Sequence, residues 1–180
     1  ILALLTILGF TACQKDTVTP SDPLQTATDV VLGDRSGNTI VDIALSNPDF
    51  SILVAAVVKS GTVGLLSGAQ LNGTVFAPTN AAFEQLPAPF NSASSISAIS
   101  DAGTINTLRE IIRYHVVQGA RKAANLPNGS YATFKTAFAP QGNLLFVSRS
   151  IGGDVFVNGA TKVVAADVQA SNGVIHVVDK

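Results

Sequence analysis

The sequence is poor in the residues that bind zinc most readily: it has one cysteine, Cys13, and two histidines, His115 and His176. A single cysteine cannot form an internal disulfide, and one cysteine with two histidines is a poor ligand supply for a dedicated zinc site. His176 and Asp179 could join a serine in a hydrolase triad, but a strand separates residues three apart by about 10 Å. The sequence has no Gly-x-Ser-x-Gly elbow, His-Glu-x-x-His helix or Gly-x-x-x-x-Gly-Lys phosphate loop. We therefore expect no catalytic residue, bound metal or cofactor, and no enzymatic activity.

Composition narrows the choice of partners. The chain has 180 residues, 47% hydrophobic and only 13% charged, and its formal net charge is -1. A nearly neutral chain has no long-range field to attract nucleic acid, so we expect no nucleic-acid partner. Tryptophan and methionine are absent, which removes the usual indole platform for sugars and the usual adaptable apolar groove.

The N-terminal residues have the pattern of an export signal. Residues 1–10 are apolar except for Thr6 and Gly9 and are about half as long as a membrane-spanning helix. The segment Phe10-Thr11-Ala12-Cys13 resembles a bacterial lipobox, in which the cysteine is acylated and becomes the first residue of the mature protein. Acyl chains on Cys13 would anchor the protein to a membrane without spanning it. The alternative is that Cys13 is a free apolar core residue.

These features divide the chain into three parts. We expect residues 1–12 to be a partial lipoprotein signal peptide and residues 13–35 to be the acylated cysteine with a flexible tether, because this stretch is polar and lacks apolar periodicity. Residues 36–180 form the folded domain. We place the protein in a bacterial cell envelope, as an outer-membrane lipoprotein. Cys13-Gln14-Lys15-Asp16 resembles a short signal for surface exposure in some bacterial lipoproteins, so the domain faces outward or, alternatively, the periplasm.

The first half of the domain has helical periodicity. Thr39 and Asp42 form a variant capping box before a short helix. Asn47 and Pro48 then start an amphipathic helix that Gly61 closes. We expect its buried stripe to contain five apolar residues: Phe50, Leu53, Val54, Val57 and Val58.

Later segments alternate between strand and helix signals. Residues 74–77 read as a buried strand, and Asn80 is expected to cap the next helix, which buries Phe83 and Leu86. A periodic run from Ile105 ends near Tyr114, where the chain passes into a strand. The last third contains four short β-rich runs: 144–147, 155–157, 161–166 and 174–178. Asn158-Gly159 predicts a two-residue hairpin. Helices followed by an antiparallel meander indicate an α+β domain.

Three segments together identify a family resemblance. They are Thr74-Val75-Phe76-Ala77-Pro78-Thr79-Asn80-Ala81-Ala82-Phe83, Tyr114-His115-Val116-Val117, and Asn172-Gly173-Val174-Ile175-His176-Val177-Val178-Asp179. In order and spacing they resemble the opening block, the Tyr-His motif and the closing block of the fasciclin (FAS1) domain. The resemblance implies a compact wedge of two β-sheets with helices packed around one side. It also implies no cofactor, usually no catalysis, and a role in cell adhesion or matrix interaction.

The resemblance assigns roles to individual residues. The Tyr-His segments of some animal fasciclin domains are associated with recognition of cell-surface receptors, which makes Tyr114 and His115 candidate interaction residues. The structural motif positions are Thr74, Phe76, Pro78, Asn80, Phe83, Asn172, Gly173, His176 and Asp179. The family commonly has Asp at the position of Asn80, and it continues with an apolar stretch beyond the position of Lys180, so we expect a truncated C-terminal end. For both histidines we expect a structural role, with the ring held by a backbone hydrogen bond, and for His115 interaction is the alternative.

The leading hypothesis is a lipid-anchored envelope protein that displays a fasciclin domain for adhesion or extracellular protein contact. Its partners would be the membrane, through Cys13, and an unidentified protein, matrix or surface component. The alternative is an envelope lipoprotein that binds a small apolar molecule or a glycan fragment. The oligomeric state is open.

Overall fold

The computed structural model describes residues 38–135 and 142–180, which include all three motifs. The predicted signal peptide, Cys13 and the tether lie outside these residues. The helices are α1 Ile40–Ser46, α2 Ser51–Ser60, α3 Val63–Ser67, α4 Asn80–Glu84, α5 Ala93–Ala98 and α6 Ala102–Tyr114. The strands are β1 Gly73–Pro78, β2 Val116–Gln118, β3 Gly129–Ala132, β4 Leu144–Arg149, β5 Val155–Val157, β6 Thr161–Ala170 and β7 Gly173–Val178. Short 3-10 turns occupy Pro48–Phe50 and Ala123–Asn125.

The strands follow one hydrogen-bonded order, β2-β1-β7-β6-β5-β4-β3. Only the β1 and β7 pair is parallel among these strands, and the other pairs are antiparallel. The long strand β6 belongs to both halves, because Thr161 and Lys162 pair with β5 while its later residues pair with β7. A bridge between Val117 and Thr133 joins the two end strands. The α+β fold and its two connected sheets confirm the predicted fold class.

Successive side chains on a strand point to opposite faces, so the central strands contribute to two apolar cores. On β1, Val75 and Ala77 face the helices, whereas Phe76 faces the space between the two halves of the sheet. The helix-side core takes in α2 and α6 through residues such as Leu53 and Ile112. The inter-sheet core consists of eight buried residues: Phe76, Val117, Leu126, Leu145, Val147, Val155, Val157 and Val178. The central strands β1 and β7 are therefore buried on both faces.

Local signals set the start of α1 and the end of α2 as the sequence predicts, whereas Asn47 caps the 3-10 turn and α2 begins only at Ser51. Thr39 and Asp42 form the capping box of α1, and the Asn47 side chain accepts the backbone N–H of Asp49 at 3.0 Å. Gly61 closes α2 with a φ of 69°, a left-handed conformation that glycine adopts at little cost. Asn158 and Gly159 have φ values of 51° and 77°, as the predicted turn requires. Pairing resumes at Val157 and Thr161, so the connection has three residues rather than two.

Each of the two predicted burial patterns is partly wrong. Phe50, Leu53 and Val57 are buried as predicted, but Val54 is only half-buried and Val58 is 62% exposed. The buried face of α2 instead takes in Ile52, Ala56 and Ser60 beside Leu53 and Val57.

Phe83 is buried as predicted, whereas Leu86 is 41% exposed because α4 ends at Glu84. Helices α3 and α5 are short elements for which the sequence interpretation makes no prediction.

In the described residues, no single helix has both the length and the apolar character to cross a bilayer. Ile40–Ser46 and Pro48–Ser60 pass that test only as a pair, across a bend of 109°.

Candidate functional site

The three motifs come together as three adjacent strands. The opening block supplies β1, the closing block supplies β7, and the Tyr-His block leads into β2 on the other side of β1. In the parallel pair, Phe76 lies opposite His176 and Pro78 lies opposite Val178. Thr74 lies opposite Val117 in the antiparallel pair. The motif residues therefore form one continuous region in the middle of the domain.

At one end of this region two backbones approach closely. Gly73 and Gly173 are register partners in the parallel pair. A Cβ on Gly173 would overlap the carbonyl oxygen of Gly73 and would stand 3.0 Å from Cδ1 of Ile40. Glycine is the one residue that allows this approach without displacing β1 or α1.

Asn172 joins three separate elements next to this approach. Its Oδ1 accepts the backbone N–H of Ile40 at 3.0 Å, at the start of α1. Its Nδ2 donates to the carbonyls of Leu66 at 2.8 Å and Gly68 at 3.1 Å, at the end of α3. The residue is buried, so each of these bonds replaces a partner that water would otherwise supply. Asn172 thereby fastens the β6–β7 turn to two helices.

Asn80 performs a similar task, which corrects the predicted role. It does not cap its own helix α4, whose N-cap is Thr79 without a side-chain hydrogen bond. Its Oδ1 instead accepts the backbone N–H of Ile52 at 3.0 Å, and its Nδ2 donates to the Pro48 carbonyl at 3.0 Å and to Ser51 Oγ at 3.0 Å. Because both donor and acceptor functions are used, an amide suits this position. The side chain caps α2, which lies earlier in the chain.

His176 is fully enclosed, with 1% of its surface exposed. Its Nδ1 accepts the backbone N–H of Asp167 at 3.2 Å, and Nε2 lies 3.0 Å from the carbonyl oxygen of Arg121. Since a carbonyl can only accept, Nε2 carries the proton and the ring is the neutral tautomer. Burial lowers the pKa of His176, and this effect outweighs the opposing influences of the Arg121 carbonyl and the Asp167 carboxylate.

This geometry does not assemble a hydrolase triad. Both ring nitrogens of His176 are occupied by backbone groups. Asp179 accepts the backbone N–H of Lys162 through Oδ1 at 2.9 Å and donates its own N–H to the Lys162 carbonyl at 3.2 Å. Asp179 therefore extends the ladder between β6 and β7.

Tyr114 connects helix α6 to the second half of the sheet. Its hydroxyl donates to the Leu144 carbonyl at 3.0 Å and accepts Nδ2 of Asn158 at 3.0 Å. The ring packs against the inter-sheet core, and Nζ of Lys135 lies 5.8 Å from the ring centroid. Part of the side chain is exposed, so the predicted interaction residue has a structural task and also reaches the surface.

His115 is the C-cap of α6. Its Nδ1 donates to the Ile111 carbonyl at 2.8 Å, one turn earlier, and its own carbonyl accepts the N–H of Phe76 at 2.9 Å. Burial lowers the pKa of His115, with the hydrogen bond to Ile111 acting in the opposite direction. The structure thus brings Tyr114 and His115 together at the end of α6, with the backbone of His115 bonded to β1.

The remaining motif residues either pack in the cores or form hydrogen bonds between elements. Thr74 is buried, donates to the Gly119 carbonyl at 2.7 Å and accepts the Arg121 N–H at 2.9 Å. Phe76 lies 5.5 Å from the His176 ring between centroids. Phe83 is buried in the helix-side core, and Pro78 ends β1 as a buried residue.

Sequence reasoning missed an exposed apolar row on β4, where the Leu144 carbonyl accepts the Tyr114 hydroxyl. Leu144 and Phe146 alternate with buried residues along β4 and are 43% and 46% exposed. Residues 144–147 are all apolar, so the sequence carries no alternation that would mark the outward side chains, and only the strand register sets them. We call Tyr114, Lys135, Leu144 and Phe146 the Tyr114 surface.

Among residues 38–135 and 142–180, no group of three or more His, Cys, Asp or Glu side chains is arranged to hold a metal ion.

Comparison with known proteins agrees with this architecture. The fasciclin domain model matches residues 48–180, so the chain belongs to the fasciclin family. Protein sll1483 of Synechocystis sp. is 42% identical over 145 residues, which cover 81% of this chain and 73% of that protein. Immunogenic protein MPB70 of Mycobacterium bovis is 32% identical over 152 residues, 80% of this chain and 68% of its own length. Human periostin is 30% identical over 145 residues, but these cover only 16% of periostin.

A solved structure shares the fold. It is the FAS1 domain pair from the insect cell adhesion molecule fasciclin I, with a TM-score of 0.61 and 19% sequence identity. The match covers 79% of this chain and 49% of the solved chain, so this chain spans about half of that structure.

Proposed function

We propose that the protein is a lipid-anchored component of a bacterial cell envelope and that its fasciclin domain mediates adhesion or extracellular protein contact. The observation that carries this proposal is the fasciclin domain itself, which occupies residues 48–180 and belongs to a non-enzymatic family of adhesion type. The similarity to a cell adhesion molecule in fold supports the same role. Envelope attachment rests on the lipobox-like segment that ends at Cys13.

The first prediction concerns the lipid anchor. Cys13→Ala is expected to leave an uncleaved precursor or to release the protein from the membrane, because acyl chains contribute about 0.8 kcal/mol per buried CH2. Expression of the full reading frame in a bacterial host, followed by detergent phase partitioning, measures this. Ser21→Ala in the tether is the matched control. Equal partitioning of Cys13→Ala and the unaltered protein into the detergent phase, with both at the same processed size on a gel, would reject the lipid anchor.

The Tyr114 surface is the part of the domain to which we assign protein contact. Tyr114 and Phe146 supply aromatic area, Leu144 adds aliphatic area, and Lys135 places a cation beside the Tyr114 ring. Aromatic residues are enriched at protein interfaces. Leu144 and Phe146 lie on strand β4 and Tyr114 ends α6, so contact would require little ordering of these three residues.

We expect the double substitution Leu144→Ser with Phe146→Ser to reduce adhesion about tenfold, since aromatic interface residues can each contribute more than 1 kcal/mol. Attachment of cells, or of beads coated with the domain, to matrix proteins and to neighbouring cells measures this effect. Val58→Ser is the control, because Val58 is 62% exposed and lies on α2 instead. Equal adhesion by both variants at unchanged stability would remove the Tyr114 surface from the proposal. Unchanged adhesion after deletion of the whole gene would contradict the adhesion role.

Binding of a small apolar or glycan ligand remains the alternative prediction. The same deletion strain separates the two functions, because a ligand-binding protein would leave attachment unchanged. Calorimetric titration of the domain with apolar molecules and glycan fragments would then reveal the ligand class.

A further inference from the structure

The loop between β2 and β3 is attached to the central strands by three side chains. Thr74 on β1 holds the Gly119 carbonyl and the Arg121 N–H. Asp167 on β6 accepts the Ala123 N–H through Oδ1 at 2.6 Å. His176 on β7 donates to the Arg121 carbonyl at 3.0 Å. We call residues 119–125 the β2–β3 loop.

Asp167 itself is in an unusual conformation. It lies within an irregularity of β6, between the pairs Ala165–Val177 and Val168–Ile175, and its φ is 65°. A residue with a side chain rarely adopts positive φ, and such a conformation persists when its surroundings hold it there. Nδ1 of His176 accepts the N–H of Asp167, and the Asp167 carboxylate holds the loop. The bulge and the loop are therefore connected through one imidazole ring.

That ring can hold both partners only when it is neutral. Neutral imidazole has one donor and one acceptor, which match the Arg121 carbonyl and the Asp167 N–H respectively. Protonation turns Nδ1 into a donor and points an N–H at the N–H of Asp167. The hydrogen bond would be replaced by repulsion at a residue whose backbone is already strained.

The groups around His176 are few. On β6 the charged group that acts on the ring is Asp167, whereas Lys162 on the same strand pairs with Asp154. The β2–β3 loop contributes Arg121 and Lys122, and the Arg121 guanidinium lies 5.5 Å from the centroid of the Tyr131 ring on β3. β1, which presents Phe76 to the ring, contains no titratable side chain.

We propose that His176 is a proton-operated latch that holds the Asp167 bulge when neutral and releases it when protonated. Nε2 donates to the Arg121 carbonyl in both states, and Thr74 keeps its bonds to Gly119 and Arg121. Release therefore opens Nδ1 to water and frees the Asp167 carboxylate from the Ala123 N–H, so acidification would change the surface around Asp167 and Ala123. This inference concerns a conformational change and does not depend on the proposed adhesion role.

The direction of the pH effect follows from linkage. Burial lowers the pKa of His176 in the closed state below 6.5, whereas a hydrated ring in the released state titrates near 6.5. The released state therefore binds more protons, so the closed state loses stability as the pH falls below about 6.5 and is insensitive above it. One such proton changes the population of the released state by up to about tenfold per pH unit in that window.

Hydrogen exchange of individual backbone amides tests the latch directly in the unaltered protein. The amides of Asp167 and Ala123 are the probes, because they donate to His176 and to Asp167. The Arg121 amide donates to Thr74, which does not titrate, and is the control within the same loop. We expect the protection factors of the two probes to fall up to about tenfold between about pH 6.5 and about pH 5.5, with a smaller change in the amides of Arg121 and α2. Constant protection of the two probes, or an equal fold-change in α2, would overturn the proposal.

Two variants provide matched controls. His176→Gln has no titratable group and is expected to remove the pH dependence of the two probes. Asp167→Asn keeps an acceptor for the Ala123 N–H but removes the charge that favours protonated His176, which lowers the pKa of the closed-state ring further. We therefore expect the loss of protection in Asp167→Asn to begin at the same pH, which the released ring sets, and to continue to a lower pH than in the unaltered protein. A loss that levels off at the same or a higher pH would show that His176 does not control the bulge.

Discussion

Gly173→Ala is expected to lower the free energy of unfolding by about 3 kcal/mol, at the upper end of the cost of overpacking a closely packed interior. The added Cβ would overlap the carbonyl oxygen of Gly73 and crowd the Ile40 side chain. The Gly73 oxygen belongs to the backbone of β1, a strand buried on both faces, so it cannot rotate away as a side chain would. Urea denaturation of the domain, monitored by circular dichroism, measures this loss of unfolding free energy.

The matched control is Gly64→Ala in α3. A Cβ at Gly64 meets no atom within 4 Å, and its backbone is already helical. This variant is expected to be unchanged or more stable by up to about 1 kcal/mol, because alanine is a better helix former than glycine. If Gly173→Ala unfolds at the same urea concentration as Gly64→Ala, the close approach of β1 and β7 is not a constraint on the fold.

The features that sequence reasoning predicted are those determined within a few residues. Thr39 and Asp42 are three positions apart, and their capping box is present because neither needs a distant partner. Gly61 ends α2 for the same reason, since the left-handed conformation is a property of the residue itself. The strand at Val155–Val157 also has its predicted bounds, because turn residues flank it on both sides.

The features that it missed depend on partners far along the chain. The side chain of Asn80 bonds to Ile52, 28 residues earlier, although the local pattern favours capping its own helix. His176 is predicted to be structural, with its ring held by a backbone hydrogen bond, but the partner at Arg121 lies 55 residues away and cannot be read from either segment. The bulge at Asp167 has no glycine to signal positive φ. Such contacts are set by the order of the strands, which local propensity does not encode.

The same reasoning explains why family motifs and interaction residues are hard to separate here. Tyr114 was predicted as an interaction residue, yet its hydroxyl connects α6 to β4 and to the Asn158 turn. Thr74, Asn80, Asn172 and His176 each bond to backbone atoms of another element. The motif residues thus hold separate elements of the fold together. Exposed residues such as Phe146 are not part of any motif.

Asn172→Asp replaces the side-chain NH2 group by an oxygen and is expected to lower the free energy of unfolding by about 4 kcal/mol at neutral pH. The carboxylate keeps the acceptor for the Ile40 N–H but cannot donate to the carbonyls of Leu66 and Gly68, which lie 2.8 Å and 3.1 Å from the amide nitrogen. Each buried acceptor left without a donor costs about 1–3 kcal/mol, and an uncompensated buried charge adds to this cost.

The pH dependence of that variant separates this explanation from simple loss of packing. A carboxylate buried against two carbonyl oxygens is stabilised by protonation, so its pKa in the folded state would be raised above the unfolded value of about 3.9. The folded state of the variant then binds more protons than its unfolded state. The loss of unfolding free energy relative to the unaltered protein should therefore shrink as the pH falls through the raised pKa. Asn128→Asp, at an exposed Asn-Gly pair, is the matched control and should show no such recovery. A loss that is the same at every pH would mean that the three hydrogen bonds of Asn172 do not fasten α1 and α3 to the sheet.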